Sequence, residues 1–192
     1  MATSFERKLA SLAEAEFDQF HGFHETTPKM AARIKGYWTS LGLHFPGVGT
    51  PWSAVFVSSF VKRAGASASE FKFSPRHSEF VHRAIANMKS GTGVFHGHPV
   101  SAYAPHIGDI IQNNRNGNTF DFNFAAGNMA YESHSAIVVE EGTDGNGRYV
   151  RTVGGNEADT VGERVVRLTS SGLIKQPAAD PSRFICVIET LK

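Results

Sequence analysis

A serine stands where an apolar helical pattern begins, in Thr50-Pro51-Trp52-Ser53-Ala54. Pro51 suits a first helical turn with Thr50 as its cap. Trp52, Val55, Phe56, Ser59, Phe60 and Arg63 then recur at helical spacing up to Gly65. The first turn of a helix carries backbone N–H groups without helical partners and the positive end of the helix dipole. Both can hold an oxyanion beside a nucleophile, which is what acyl transfer needs. The plain alternative is a serine that caps the helix and does no chemistry.

His134 opens the apolar run His134–Glu140, and a turn rich in Gly, Asp and Asn separates it from the run Arg148–Val153. Asp144-Gly145 and Asn146-Gly147 are both hairpin signals. Folding about the first sets Asn156 opposite Ser133; folding about the second sets it opposite Ile137. Either register brings Asn156 near the start of the His134 strand. A histidine beside an amide is a base with an orienting partner. The alternative is a surface histidine on a hairpin.

Other residues carry weaker signals. His77 follows Ser74-Pro75 at the start of a further helix and is a candidate for the substrate groove, with Trp52. The Asn- and Gly-rich stretch 113–133 contains Phe120, Phe122, Phe124, Met129 and Tyr131. A loop of that length is usually a lid or binding loop, or else a hairpin extension. It ends directly before His134, so Phe122 and Tyr131 are taken as further groove residues. His96 and His98, with His106 and Asp109, offer ligand types that a zinc centre uses. They fall in a stretch read as Gly- and Pro-rich loop, so no metal or cofactor is expected. Tyr37 and Trp38 are read as core.

These residues need elements to position them. Helices are expected over residues 4–20, about 28–41, the Ser53 segment, and from Ser74 to about Lys89. Strands are expected over 108–112, 134–140, 148–153, 162–168 and 184–190, rich in Ile, Val and Phe. Helices first and strands second argue for an α+β chain, with N-terminal helices packed on an antiparallel sheet of about five strands. One domain is expected over 1–192, with a helical part at 1–45 and the main core at 46–192.

The segments Tyr37-Trp38, Pro51–Ser58, Phe73-Ser74 with His77, Gly108–Ile111, Ser133–Val139 and Val153–Asn156 follow one another in a familiar order. On them the chain resembles the NlpC/CHAP superfamily of papain-like bacterial cell-wall hydrolases, and more closely an uncharacterised bacterial group within it. The resemblance implies a papain-like fold with Ser53 as nucleophile, His134 as general base and Asn156 as orienter. It implies hydrolysis of an amide bond in peptidoglycan, by an amidase or endopeptidase. Most of that superfamily carries cysteine where this chain has Ser53. A serine hydroxyl needs a well-placed base during attack, whereas cysteine is already partly thiolate near neutral pH. Serine therefore marks a serine hydrolase or a module that has lost catalysis and binds wall peptide or a protein partner. A serine esterase or acyltransferase on the same scaffold is a third reading.

Composition narrows the rest. The chain has 192 residues, 41% hydrophobic and 19% charged, and a formal net charge of +1. That is too apolar for disorder, and its balance does not point to nucleic acid. The lone cysteine, Cys186, sits in an apolar run and leaves no intramolecular disulfide. The charged, amphipathic N-terminus reads as neither a signal peptide nor a membrane span. A wall-directed role would then require delivery from the cytoplasm to the periplasm or cell wall by a secretion or phage system. A delivery or immunity protein is a corresponding partner.

Overall fold

A computed structural model describes residues 2–180 and 183–192. Four helices come early: α1 (Ser4–Phe20), α2 (Pro28–Ser40), α3 (Ser53–Ala64) and α4 (His77–Ser90). A short helix, α5 (Phe122–Gly127), lies in the aromatic loop. The strands are β1 (Phe95–Pro99), β2 (Ile110–Asn114), β3 (Ser133–Asp144), β4 (Gly147–Glu157), β5 (Thr160–Arg167) and β6 (Phe184–Thr190).

The helix starts follow local chemistry. Thr3 caps α1 in a capping box, accepting from the Glu6 N–H while Glu6 accepts from Thr3. Pro28 opens α2 behind Thr27. The third and fourth helices begin later than expected. Trp52, not Thr50, is the N-cap residue of α3. Arg76 precedes α4, and Ser74 accepts the Arg76 N–H at 3.0 Å, so it bends the chain into the helix without capping it.

All strand pairs are antiparallel, in the order β1-β6-β2-β3-β4-β5. The sheet therefore has six strands where five were expected. The added strand is β1, which pairs with β6 from Phe95 opposite Thr190 to Pro99 opposite Cys186. Gly97 and Pro99 make this stretch look like loop, but an edge strand tolerates a proline at its end. Gly97 also has a packing reason: a Cβ there would lie 2.7 Å from Ile85 of α4.

The sheet alternates between two faces. Ile110, Ile137, Val153 and Ile188 join Leu9, Ile34, Phe56 and Phe60 in the main core beneath the helices. That core spans both the N-terminal helices and the remainder of the chain. Ile111, Val138, Val150, Val166 and Val187 form a smaller cluster on the opposite face. Two adjacent glycines set the closest approach. A Cβ on Gly155 would lie 2.6 Å from both Trp52 and Phe56, so α3 reaches β4 only over a bare backbone. On the other side, a Cβ on Gly154 would lie 3.0 Å from Nε2 of His134.

Candidate active site

Ser53 is the first residue of α3 and His77 the first residue of α4. The two helix starts converge, and Ser53 Oγ lies 2.7 Å from Nε2 of His77. Both residues are buried, at 2% and 6% exposure. The Phe56 N–H is the donor that closes the first turn of α3, onto the Trp52 carbonyl at 3.0 Å. The N–H groups of Ser53, Ala54 and Val55 precede it and have no acceptor within the helix. Such groups can hold an oxyanion beside the Ser53 hydroxyl.

Burial holds the His77 ring well below the ordinary histidine pKa, and the nearby His134 and Arg115 push it the same way. His77 is thus neutral at neutral pH. When Nε2 accepts the Ser53 O–H, the ring proton sits on Nδ1. That Nδ1 is buried and, among the described residues, has no hydrogen-bond partner. The pair can act as a hydroxyl and a proton acceptor, and among the described residues no third group contacts the ring at Nδ1.

His134, expected as the base, looks elsewhere. On β3 it shares its face with Ala136 and Val138, while Ser133, Ser135 and Ile137 face the helices. Its Nε2 lies 2.8 Å from Oε1 of Glu157, without the N–H alignment of a good hydrogen bond. The second Glu157 oxygen accepts from Nη2 of Arg164 at 2.8 Å. Burial alone would raise the Glu157 pKa, but His134 and Arg164 outweigh it and bring it to about 2. The two histidine rings still approach closely, with centroids 5.5 Å apart at 56°.

The side chain that reaches His134 is Glu157, the neighbour of the expected Asn156. The hairpin takes neither expected register: its two-residue turn is Gly145-Asn146, with Asp144 opposite Gly147. A shift between Val138 and Glu140 then sets Ile137 opposite Val153. Asn156 adopts a left-handed φ of 58°, where the β4–β5 register shifts between Gly155 and Glu157. This bulge turns Asn156 aside and delivers Glu157 to the imidazole. The signal for Glu157 was the neighbouring carboxylate in Asn156-Glu157, which pairs with an imidazole more strongly than an amide does.

A cavity of about 510 Å³ opens over the Ser53–His77 pair, lined also by Ala54, Arg115, Tyr131 and Ser133. A second, more polar cavity of about 370 Å³ holds His134, Asn156, Glu157 and Arg164. Arg115 and Asn116 line both, so the two adjoin across the start of β3.

The expected groove residues divide. Tyr131 lines the first cavity, with its hydroxyl 3.0 Å from Gln112 Nε2. Trp52 is fully buried, stacks on Tyr37 and donates from Nε1 to Glu25 at 2.8 Å. It supports the helix start from below and is not a groove residue. Phe122 packs against the main core, while Phe120 and Phe124 stack on each other at 4.2 Å. The loop is tied to α4 beside His77, where Ser78 Oγ donates to the Met129 carbonyl at 2.8 Å.

The four suggested metal ligands do not form one group. Asp109 is buried and accepts the backbone N–H groups of His106 and Thr190. The His106 ring lies 3.3 Å from Glu141. Cys186 is buried, and burial pushes its thiol pKa up, as expected of an inert core cysteine. Among the described residues no helix is long and apolar enough to cross a membrane.

These features define an α+β protein with an open antiparallel sheet and a serine–histidine pair at two converging helix N-termini. Residues 17–187 match the family described as an uncharacterized protein conserved in bacteria, DUF2272, and the chain belongs to that family. No curated protein matches the chain, and no solved structure does.

Proposed function

We propose that the chain is an amide hydrolase that works by acyl transfer through Ser53, with the peptide part of peptidoglycan as substrate. The observation that carries the reading is the 2.7 Å approach of Ser53 Oγ to Nε2 of His77 beside an open cavity. In this reading Oγ attacks the scissile carbonyl as Nε2 of His77 takes its proton. The N–H groups at the start of α3 hold the oxyanion of the tetrahedral intermediate. Collapse expels the amine, which leaves with the proton from His77. Water activated by the same ring then releases the acyl group and restores Ser53.

The substrate class comes from the resemblance to papain-like cell-wall hydrolases, as does the papain-like assignment of the fold. Support for both is the order of parts: a helix-start nucleophile, then a strand opened by His134, then a strand ending in polar residues. Access to the wall would depend on a delivery system. The base differs from the one the resemblance implies, since His77 is the residue in contact with Ser53.

A second reading rests on Nδ1 of His77, which has no hydrogen-bond partner among the described residues. A base without an orienting group is a weak one, and that favours a module that binds wall peptide without cutting it. Two measurements decide. Incubation with purified peptidoglycan and mass analysis of the soluble fraction should show fragments cut at an amide bond. A fluorophosphonate probe should label Ser53. Neither fragments nor label would leave the binding module in place of the hydrolase.

A further inference from the structure

The His96-Gly97-His98 motif lies on β1, at the edge of the sheet away from the hairpin. Gly97 faces α4, so alternation sends His96 and His98 together to the opposite face. Glu189 of β6 stands directly opposite His96 in the ladder. A potential ligand atom from each of His96, His98 and Glu189 lies within 4.8 Å of the other two. All three side chains are half-buried, so the group is neither sealed in the core nor loose on the surface.

We propose that His96, His98 and Glu189 form a binding site for a divalent transition-metal ion of the zinc type. Two imidazoles and one carboxylate make a ligand set that zinc uses when it keeps one position open for water. Tetrahedral coordination with bonds of about 2.0–2.2 Å separates ligand atoms by roughly 3.3 Å. His98 Nε2 and Glu189 Oε2 stand 2.8 Å apart, so an ion would part them by only a few tenths of an ångström. The outer contacts also fit. Nε2 of His96 lies 3.0 Å from the Thr92 carbonyl, which only accepts, so Nε2 carries the proton and Nδ1 the lone pair. Tyr103 stacks on the His98 ring at 4.8 Å and 15°, holding its plane. The ion would pin a five-residue edge strand to its one neighbour, β6.

The test uses the full chain, stripped with a chelator and titrated with Zn²⁺ by calorimetry. The chain has nine histidines, so binding must be mapped. One equivalent should bind in the wild type. His96→Gln, His98→Gln and Glu189→Gln should each weaken it at least tenfold, and Zn²⁺ should raise the melting temperature of the wild type alone. Bound Co²⁺ should give the visible absorption of a four-coordinate site, lost in the same variants. Absence of stoichiometric binding overturns the proposal, and so does binding that all three substitutions leave unchanged. If one variant misfolds, the other two still carry the test.

Discussion

Ser53 and His77 meet as the first residues of two helices, with Oγ and Nε2 2.7 Å apart, although 24 positions separate them in the chain. His134, the second residue of β3, instead approaches Glu157. The two histidines therefore have separable consequences.

Substituting His77→Gln should lower hydrolysis, or the rate of fluorophosphonate labelling, by about 10²–10⁴-fold, the range for loss of a general base. His134→Gln should have a smaller effect on rate and a larger one on stability. It leaves the half-buried Glu157 carboxylate with Arg164 but without the imidazole, at a cost of about 1–3 kcal/mol. Labelling kinetics and urea midpoints measured on both variants check this. A rate collapse in His134→Gln with His77→Gln unaffected would restore His134 as base.

Replacing Ser53→Cys should keep the fold, because the added volume is small at a helix start. Hydrolysis should not fall below that of wild type, since a thiolate beside an imidazole is the better nucleophile at neutral pH. Peptidoglycan release assays with equal amounts of folded protein would check it. A folded but inactive cysteine variant would mean that the pocket is tuned to oxygen.

Two side chains should lose stabilising contributions as pH falls, each in its own window. The unfolded histidine binds a proton near pH 6.5, whereas buried His77 resists one, so the unfolded state binds more protons below that value. This contribution is complete above about pH 6.5 and is lost as pH falls toward the lower pKa of the folded ring. Glu157, held at about 2, adds stability that is present above about pH 4.5 and lost as pH falls toward 2. Denaturation midpoints from pH 7.5 to 3, measured on wild type and on variants of each residue, isolate these contributions, because burial pushes Asp109 up to about 8 and adds an opposite slope common to all of them. His77→Gln should flatten the upper part and Glu157→Gln the lower part.

Gly155→Ala should destabilise the protein by about 1–3 kcal/mol, because its Cβ would overlap Trp52 and Phe56 at 2.6 Å. It should also slow labelling of Ser53, since relief of the overlap moves the start of α3. Gly145→Ala, in the open hairpin turn with nothing within 4 Å, is the control and should have little effect on either measurement.

Local sequence determined the pieces. Capping and periodicity place α1 at Ser4–Phe20 and α2 at Pro28–Ser40, and the apolar run Phe184–Thr190 is β6 as read. The helix-start position of Ser53 was legible for the same reason, as was the α+β order of helices before strands. Those signals lie within one turn or a few residues of the feature they specify. Which histidine meets Ser53 depends on quantities without a local signature. A two-residue turn at Gly145-Asn146, a shift near Val138 and a bulge at Asn156 together set where the side chains of β3 and β4 point. A one-residue change in register exchanges the two faces of a strand, so small ladder irregularities replaced Asn156 by Glu157 and turned Nε2 of His134 to that carboxylate. The same holds for β1, whose partner β6 lies about 90 residues later in the chain. Tertiary packing brought His77 to Ser53, because the approach of α4 to α3 is decided by the core beneath both helices.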